Sequence, residues 1–112
     1  MNVWHETVGE GIWLVGVNGR LDQTLNPELE RQLMALLDDG KSKLIVDFTQ
    51  VSYINSGGLR ALVTGWRKAQ QQAGDLVLCG LNGRIQEVFD MVGFDQLFKI
   101  FPDRQAAQDS LG

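Results

Sequence analysis

Short apolar runs alternate with amphipathic stripes along most of this chain, and that alternation restricts the folds open to it. KLIVDF (residues 43–48) and DLVLCG (75–80) are continuous apolar runs, the pattern of strands covered on both faces. LFKIF (97–101) reads as a further strand. Between these runs the apolar residues switch to helical spacing. Leu59, Leu62, Val63 and Trp66 form one stripe, with Trp66 read as core; Ile85, Val88, Phe89 and Val92 form another. An earlier stripe, Leu29, Leu33, Leu36 and Leu37, follows Asn26-Pro27, a cap residue and a proline suited to the first helical position. Asn82 is placed to cap the helix after 80, and Gly40, Gly74 and Gly93 to end the three helices. At the N-terminus, residues 3–8 and 11–17 are β-formers separated by Gly9-Glu10-Gly11, a hairpin. Residues 18–25 read as a loop containing Gly19-Arg20-Leu21-Asp22, and 103–111 as a short terminal helix. The predicted order is β-β-α-β-α-β-α-β-α. Strands joined through helices must run parallel, and a tight hairpin must pair antiparallel. The expectation is an α/β protein: one domain over residues 1–112, with a mixed, mainly parallel sheet of about five strands and four helices packed on it.

Charge and composition narrow the function. The net charge is −4 with no basic cluster, which argues against nucleic acid or an anionic membrane as the partner. The N-terminus shows no secretory leader, and no apolar run approaches the ~20 residues that span a bilayer. With one cysteine, Cys79, inside an apolar run, the expected setting is the cytoplasm and the expected role of Cys79 is that of a small buried hydrophobe. Catalysis finds little support. Ile54-Asn55-Ser56-Gly57-Gly58 lacks the glycine two residues before serine that a nucleophile elbow requires, and His5 is the one histidine. There is no HExxH, cysteine pair or phosphate-binding loop, so neither a metal nor a cofactor is expected, and the chain is read as a non-enzyme.

The junction Asn55-Ser56-Gly57-Gly58 carries the functional reading. Ser56 is expected at the N-cap of the following helix, with Asn55 taking that place if the helix starts one residue earlier. Gly57 and Gly58 each cost about 1 kcal/mol against Ala inside a helix, so a pair of them implies a need for close approach by another backbone or a large anion. A phosphate on Ser56 would sit at the positive end of a helix and be tolerated by the fold, while a partner docked there would meet a bulky dianion.

The stretch 44–101 resembles a STAS domain of the anti-sigma-factor antagonist family. The resemblance rests on Asp47, Val51, Ile54, Ser56, Gly58 and Leu59 in the D-x-x-x-V-x-x-I-x-S-x-G-L pattern and on VFDMVGF (88–94). GRLD (19–22) and the Asn26-Pro27-Glu28-Leu29 helix start are similar to the family's first loop and helix. The resemblance implies binding to an anti-sigma factor that is also a serine kinase, ended by phosphorylation of Ser56 and restored by a phosphatase. The family's usual Asp and Ser/Thr beside that serine are Asn55 and Gly57 here. The expected contact residues are Asp22, Asn55, Ser56, Gly57, Gly58, Arg60, Thr64 and Arg67, with Asp22 alternatively a turn residue and the α-helical trio alternatively a solvated face. A second implied role is that of a never-phosphorylated accessory subunit of a larger assembly, such as the ATPase of a bacterial lipid transporter. Trp4 and Trp13, on the first two strands, are candidates for a weak homodimer contact.

Overall fold

The computed structural model describes all residues, Met1–Gly112. The elements in chain order are β1 (Asn2–Gly9), β2 (Ile12–Leu21), α1 (Asn26–Asp38), β3 (Lys43–Ile54), α2 (Ser56–Gln71), β4 (Asp75–Cys79), α3 (Gly83–Val92), a 3-10 turn (Phe94–Gln96), β5 (Ile100–Phe101) and α4 (Arg104–Leu111). The strands lie in the order β1-β2-β3-β4-β5. β1 and β2 pair antiparallel, and every later contact is parallel. The architecture is thus an α/β fold with a five-stranded mixed sheet and four helices.

The pleat of the sheet sorts the helices into two layers. Leu44, Val46 and Phe48 of β3 face one way and meet Leu29, Leu33 and Leu37 of α1, Ala61 and Leu62 of α2, and Ile85 and Phe89 of α3 in the main core. Ile45 faces the other way and joins Ile12, Leu14, Val77 and Cys79 beneath Ala107 of α4. Cys79 is fully buried, and burial pushes its thiol up to about 12, so it serves as packing. No helix is long and apolar enough to cross a membrane.

Three elements differ from their sequence expectation. β2 and β3 continue to Leu21 and Ile54, so residues 18–21 belong to the sheet and not to a loop. Bulges between Gly16 and Asn18 and between Gly19 and Arg20 break the alternation there, and that hides the strand from a period-two pattern. The last strand shrinks to Ile100–Phe101. Leu97 and Phe98 are apolar because they pack on the helices, with Phe98 against the rings of Trp66, Phe89 and Phe94, and not because they join a ladder. Val92, expected to face inward, is exposed at the end of α3. Trp66 is half-buried against the core, as its stripe predicts.

Helix ends also differ in detail. α1 is not capped by the Asn26 side chain; the carbonyl of Asp22 accepts the N–H groups of Leu25 and Asn26 at 3.1 and 2.9 Å. Beyond the C-cap of α2, Ala73 has a φ of 60°, which places a non-glycine residue in the left-handed region. Gly74 follows where a Cβ would run into the Ser42 carbonyl oxygen at 2.1 Å, so close packing rather than turn geometry demands that glycine.

Candidate functional site

The C-terminal ends of β2 and β3 rise beyond the rest of the sheet and deliver Asp22 and Asn55 side by side. Asn55 is pinned through both backbone groups: its N–H donates to the Leu21 carbonyl at 3.0 Å, and its carbonyl accepts the N–H of Leu59 at 3.1 Å. Its side-chain oxygen accepts the N–H of Gly58 at 3.2 Å. Asn55 is therefore the N-cap of α2, and Ser56 is the first helical residue. Of the two positions open to the cap, the structure takes Asn55, which corrects the expectation that placed it at Ser56. The consequence for function is favourable. A capping hydroxyl would be engaged with backbone, whereas Ser56 is exposed and its hydroxyl makes no hydrogen bond within the chain.

The glycine pair has a cause within the chain. Asn26, in the first turn of α1, donates through Nδ2 to Asn55 Oδ1 at 2.8 Å. Its amide fills the space beside α2. A Cβ on Gly57 would lie 2.8 Å from Asn26 Nδ2, and one on Gly58 would lie 2.8 Å from Ile54 Cγ1 and 3.0 Å from Asn26 Oδ1. The glycines make room for a neighbour from within the chain, the Asn26 amide. Asn26 Oδ1 is itself buried without a hydrogen-bond partner. Sequence reasoning read Asn26 as a helix cap and missed this bridge. The signal was present in the two glycines, which needed something to make room for.

Asp22 lies at the rim. Its Oδ1 accepts the N–H of Thr24 at 3.0 Å and its Oδ2 faces Arg20 Nε at 3.5 Å. The Thr24 N–H, helped by the Arg20 guanidinium, holds the carboxyl below its ordinary range. Asp22 thus bonds its own turn, as the turn reading expects. Arg20 in turn stacks on the exposed Tyr53 ring, 4.1 Å from its centroid.

Along α2, Arg60, Thr64 and Arg67 are all exposed on one side. The Thr64 hydroxyl donates to the Arg60 carbonyl at 3.0 Å. Arg60 and Arg67 have no carboxylate within ion-pair reach, unlike Arg20, Arg31 and Arg104. The pole therefore presents a bare hydroxyl, a glycine-flanked helix start and unpaired guanidinium groups. Trp4 lies over Gly16, where a Cβ would come within 2.2 Å of its ring, and Trp13 packs against the core edge under Lys41. Both rings are half-buried by the chain itself. The chain offers no group of three or more metal-ligating side chains.

Comparison with known proteins bears on this geometry. The family model described as STAS domain matches residues 6–107. The chain is 32% identical over 98 residues to BtrV, a candidate anti-sigma factor antagonist of Bordetella bronchiseptica, covering 88% of this chain and 84% of that protein. It is 32% identical over 101 residues to the anti-sigma-B factor antagonist of Staphylococcus epidermidis, covering 89% and 94%. Among solved structures it is similar to the Bacillus cell fate determinant SpoIIAA in the phosphorylated form, with a TM-score of 0.79 at 18% identity over 98% of this chain and 99% of that one.

Proposed function

The chain belongs to the STAS-domain family, and from that membership we propose that it is an anti-sigma factor antagonist, a cytoplasmic binding module rather than a catalyst, switched at Ser56. In this reading the unmodified protein docks on an anti-sigma factor that is also a serine kinase. The contact uses Ser56, the Asp22 loop, Asn55, Gly57, Gly58 and the exposed side of α2 with Arg60, Thr64 and Arg67. The observation that carries the reading is the exposure of the Ser56 hydroxyl, free of any intramolecular hydrogen bond, at the start of α2.

The switch follows from chemistry at that position. Ser56 Oγ attacks the γ-phosphorus of a nucleoside triphosphate, the bond to the departing diphosphate breaks, and the hydroxyl proton passes to a base on the kinase. The product adds about −1.5 to −2 charge at the positive end of α2. Because Asn55 and not Ser56 holds the cap, the helix start survives the modification. A partner surface desolvated against the same spot does not tolerate a dianion. A phosphatase returns the free hydroxyl.

A second reading is favoured by one observation: Asn55 and Gly57 stand where the antagonist pattern has an acid and a hydroxyl residue. In that reading the protein is an unmodified accessory subunit of a larger assembly such as a lipid-transport ATPase. Intact mass of the protein recovered from its own cells, together with the identity of what co-purifies, separates the two. The proposal expects a fraction carrying one phosphate on Ser56, and an anti-sigma factor bound to Ser56→Ala but not to Ser56→Asp. A wholly unmodified protein that co-purifies with a transport ATPase, equally well for both variants, would overturn it.

A further inference from the structure

Arg60 is the guanidinium that α2 itself places one turn from Ser56. The two residues are four apart in α2, so they stack on the same side of the helix about one turn apart. An acid at the N-terminal member of such a pair and a base at the C-terminal member is the favourable order. Both side chains are exposed, and Arg60 has no carboxylate partner. No acidic residue occupies the first turn of α2. The other charged groups around the pole are committed, distant along α2 or carried on another helix. Arg20 of β2 is held between Asp22 and the Tyr53 ring of β3. Arg67 lies eleven residues along α2 from Ser56, roughly 16 Å by helical rise. Arg84 also lacks a carboxylate partner, but it stands on another helix, α3, whose cap Asn82 donates to the Val51 carbonyl of β3 at 3.2 Å. In α1, the Glu28 carboxylate faces Arg31 and Gln32.

We propose that Arg60 is the internal receptor for the Ser56 phosphate: it is free in the unmodified protein and folds back onto phosphoserine 56 across one turn of α2 after modification. This rests on the reading of Ser56 as a phosphate acceptor. Its consequence is that phosphorylation acts twice on the docking face. It adds a dianion at position 56, and it withdraws from the surface a cation that the unmodified protein offers to a carboxylate of its partner. Bidentate pairing of a planar guanidinium with phosphate oxygens makes arginine suited to the task, and lysine a weaker substitute.

The test needs neither the kinase nor the partner. Phosphoserine is installed at position 56 during translation, and its second ionisation is followed by phosphorus NMR in the parent protein and in Arg60→Gln, Arg60→Lys and Arg67→Gln backgrounds. The phosphate in the parent protein should ionise below the ordinary value of about 6. Arg60→Gln should raise that ionisation by roughly 0.2–0.4 pH unit, Arg60→Lys by less, and Arg67→Gln should leave it in place. The denaturation midpoint of the unmodified Arg60→Gln protein should match the parent, showing an intact fold. An identical ionisation with and without Arg60, or an equal shift from Arg67→Gln, would overturn the proposal. Failure to find phosphate on Ser56 in cells would count against the parent reading and would leave this titration unchanged, so the two failures are distinguishable.

Discussion

At the scale of single residues, the division of labour between Asn55 and Ser56 decides what each substitution does. Asn55 satisfies the N–H of Gly58 and the amide of Asn26 with one oxygen. Asn55→Ala removes the cap and strands two donors, and should cost about 1–2 kcal/mol in chemical denaturation. Ser56→Ala removes an exposed hydroxyl that bonds to nothing in the chain, and should stay within about 0.5 kcal/mol of the parent. The glycines are tested by coupling. Gly57→Ala drives a methyl to 2.8 Å from Asn26 Nδ2 and should cost about 1–3 kcal/mol. Asn26→Ala removes the obstacle, so the double substitution should cost less than the sum of the single ones by at least about 0.5 kcal/mol. The sequence exposed the importance of this junction through residue types alone. It did not reveal which Asn capped which helix, because Asn26 and Asn55 are far apart in the chain and a cap preference does not encode a contact between two side chains.

At the scale of elements, α4 is the piece tied on by chemistry more than by area. Eight residues long, it contributes Ala107 to the buried back layer and sends Arg104 to Asp47 in the middle of β3. Arg104 Nε donates to Asp47 Oδ2 at 2.7 Å, while the N–H and hydroxyl of Thr49 donate to Oδ1 at 2.9 and 2.8 Å. Burial pushes the Asp47 carboxyl up, but these donors outweigh it and the net displacement is downward. A carboxyl whose folded-state value lies below its unfolded value stabilises the fold above about pH 4 and loses that contribution as the pH falls through the folded value. With the Asp47 side chain 4% exposed, Arg104→Ala leaves a buried charge short of a partner. That should cost about 2–3 kcal/mol at pH 7, shrinking below about pH 4 as Asp47 takes up a proton. Denaturation across pH checks it, and thiol labelling of Cys79 under α4 should accelerate in the same variant. The pattern of elements was legible where burial and hydrogen bonding coincide, as in KLIVDF and DLVLCG. It misled where they part: Phe98 is buried and Leu97 partly buried without a ladder, and residues 49–54 are in a ladder with alternation disturbed by bulges.

At the scale of the whole molecule, sheet order and helix placement leave one pole where the long β2–β3 ends, the Asp22 loop and the start of α2 converge. The family's fold was legible from the sequence, since strand–helix alternation dictates a largely parallel sheet and the motif around Ser56 is specific. The two-sided distribution of helices was not, because an amphipathic stripe says that a helix packs and not on which face of the sheet. This pole should bind an anti-sigma factor only while Ser56 is unmodified. The most direct measurement is calorimetric titration of the anti-sigma factor recovered with the protein against its unmodified and its Ser56-phosphorylated forms. The phosphate should weaken binding by about 100-fold or more, about 3 kcal/mol. Equal affinity for the two forms would contradict it.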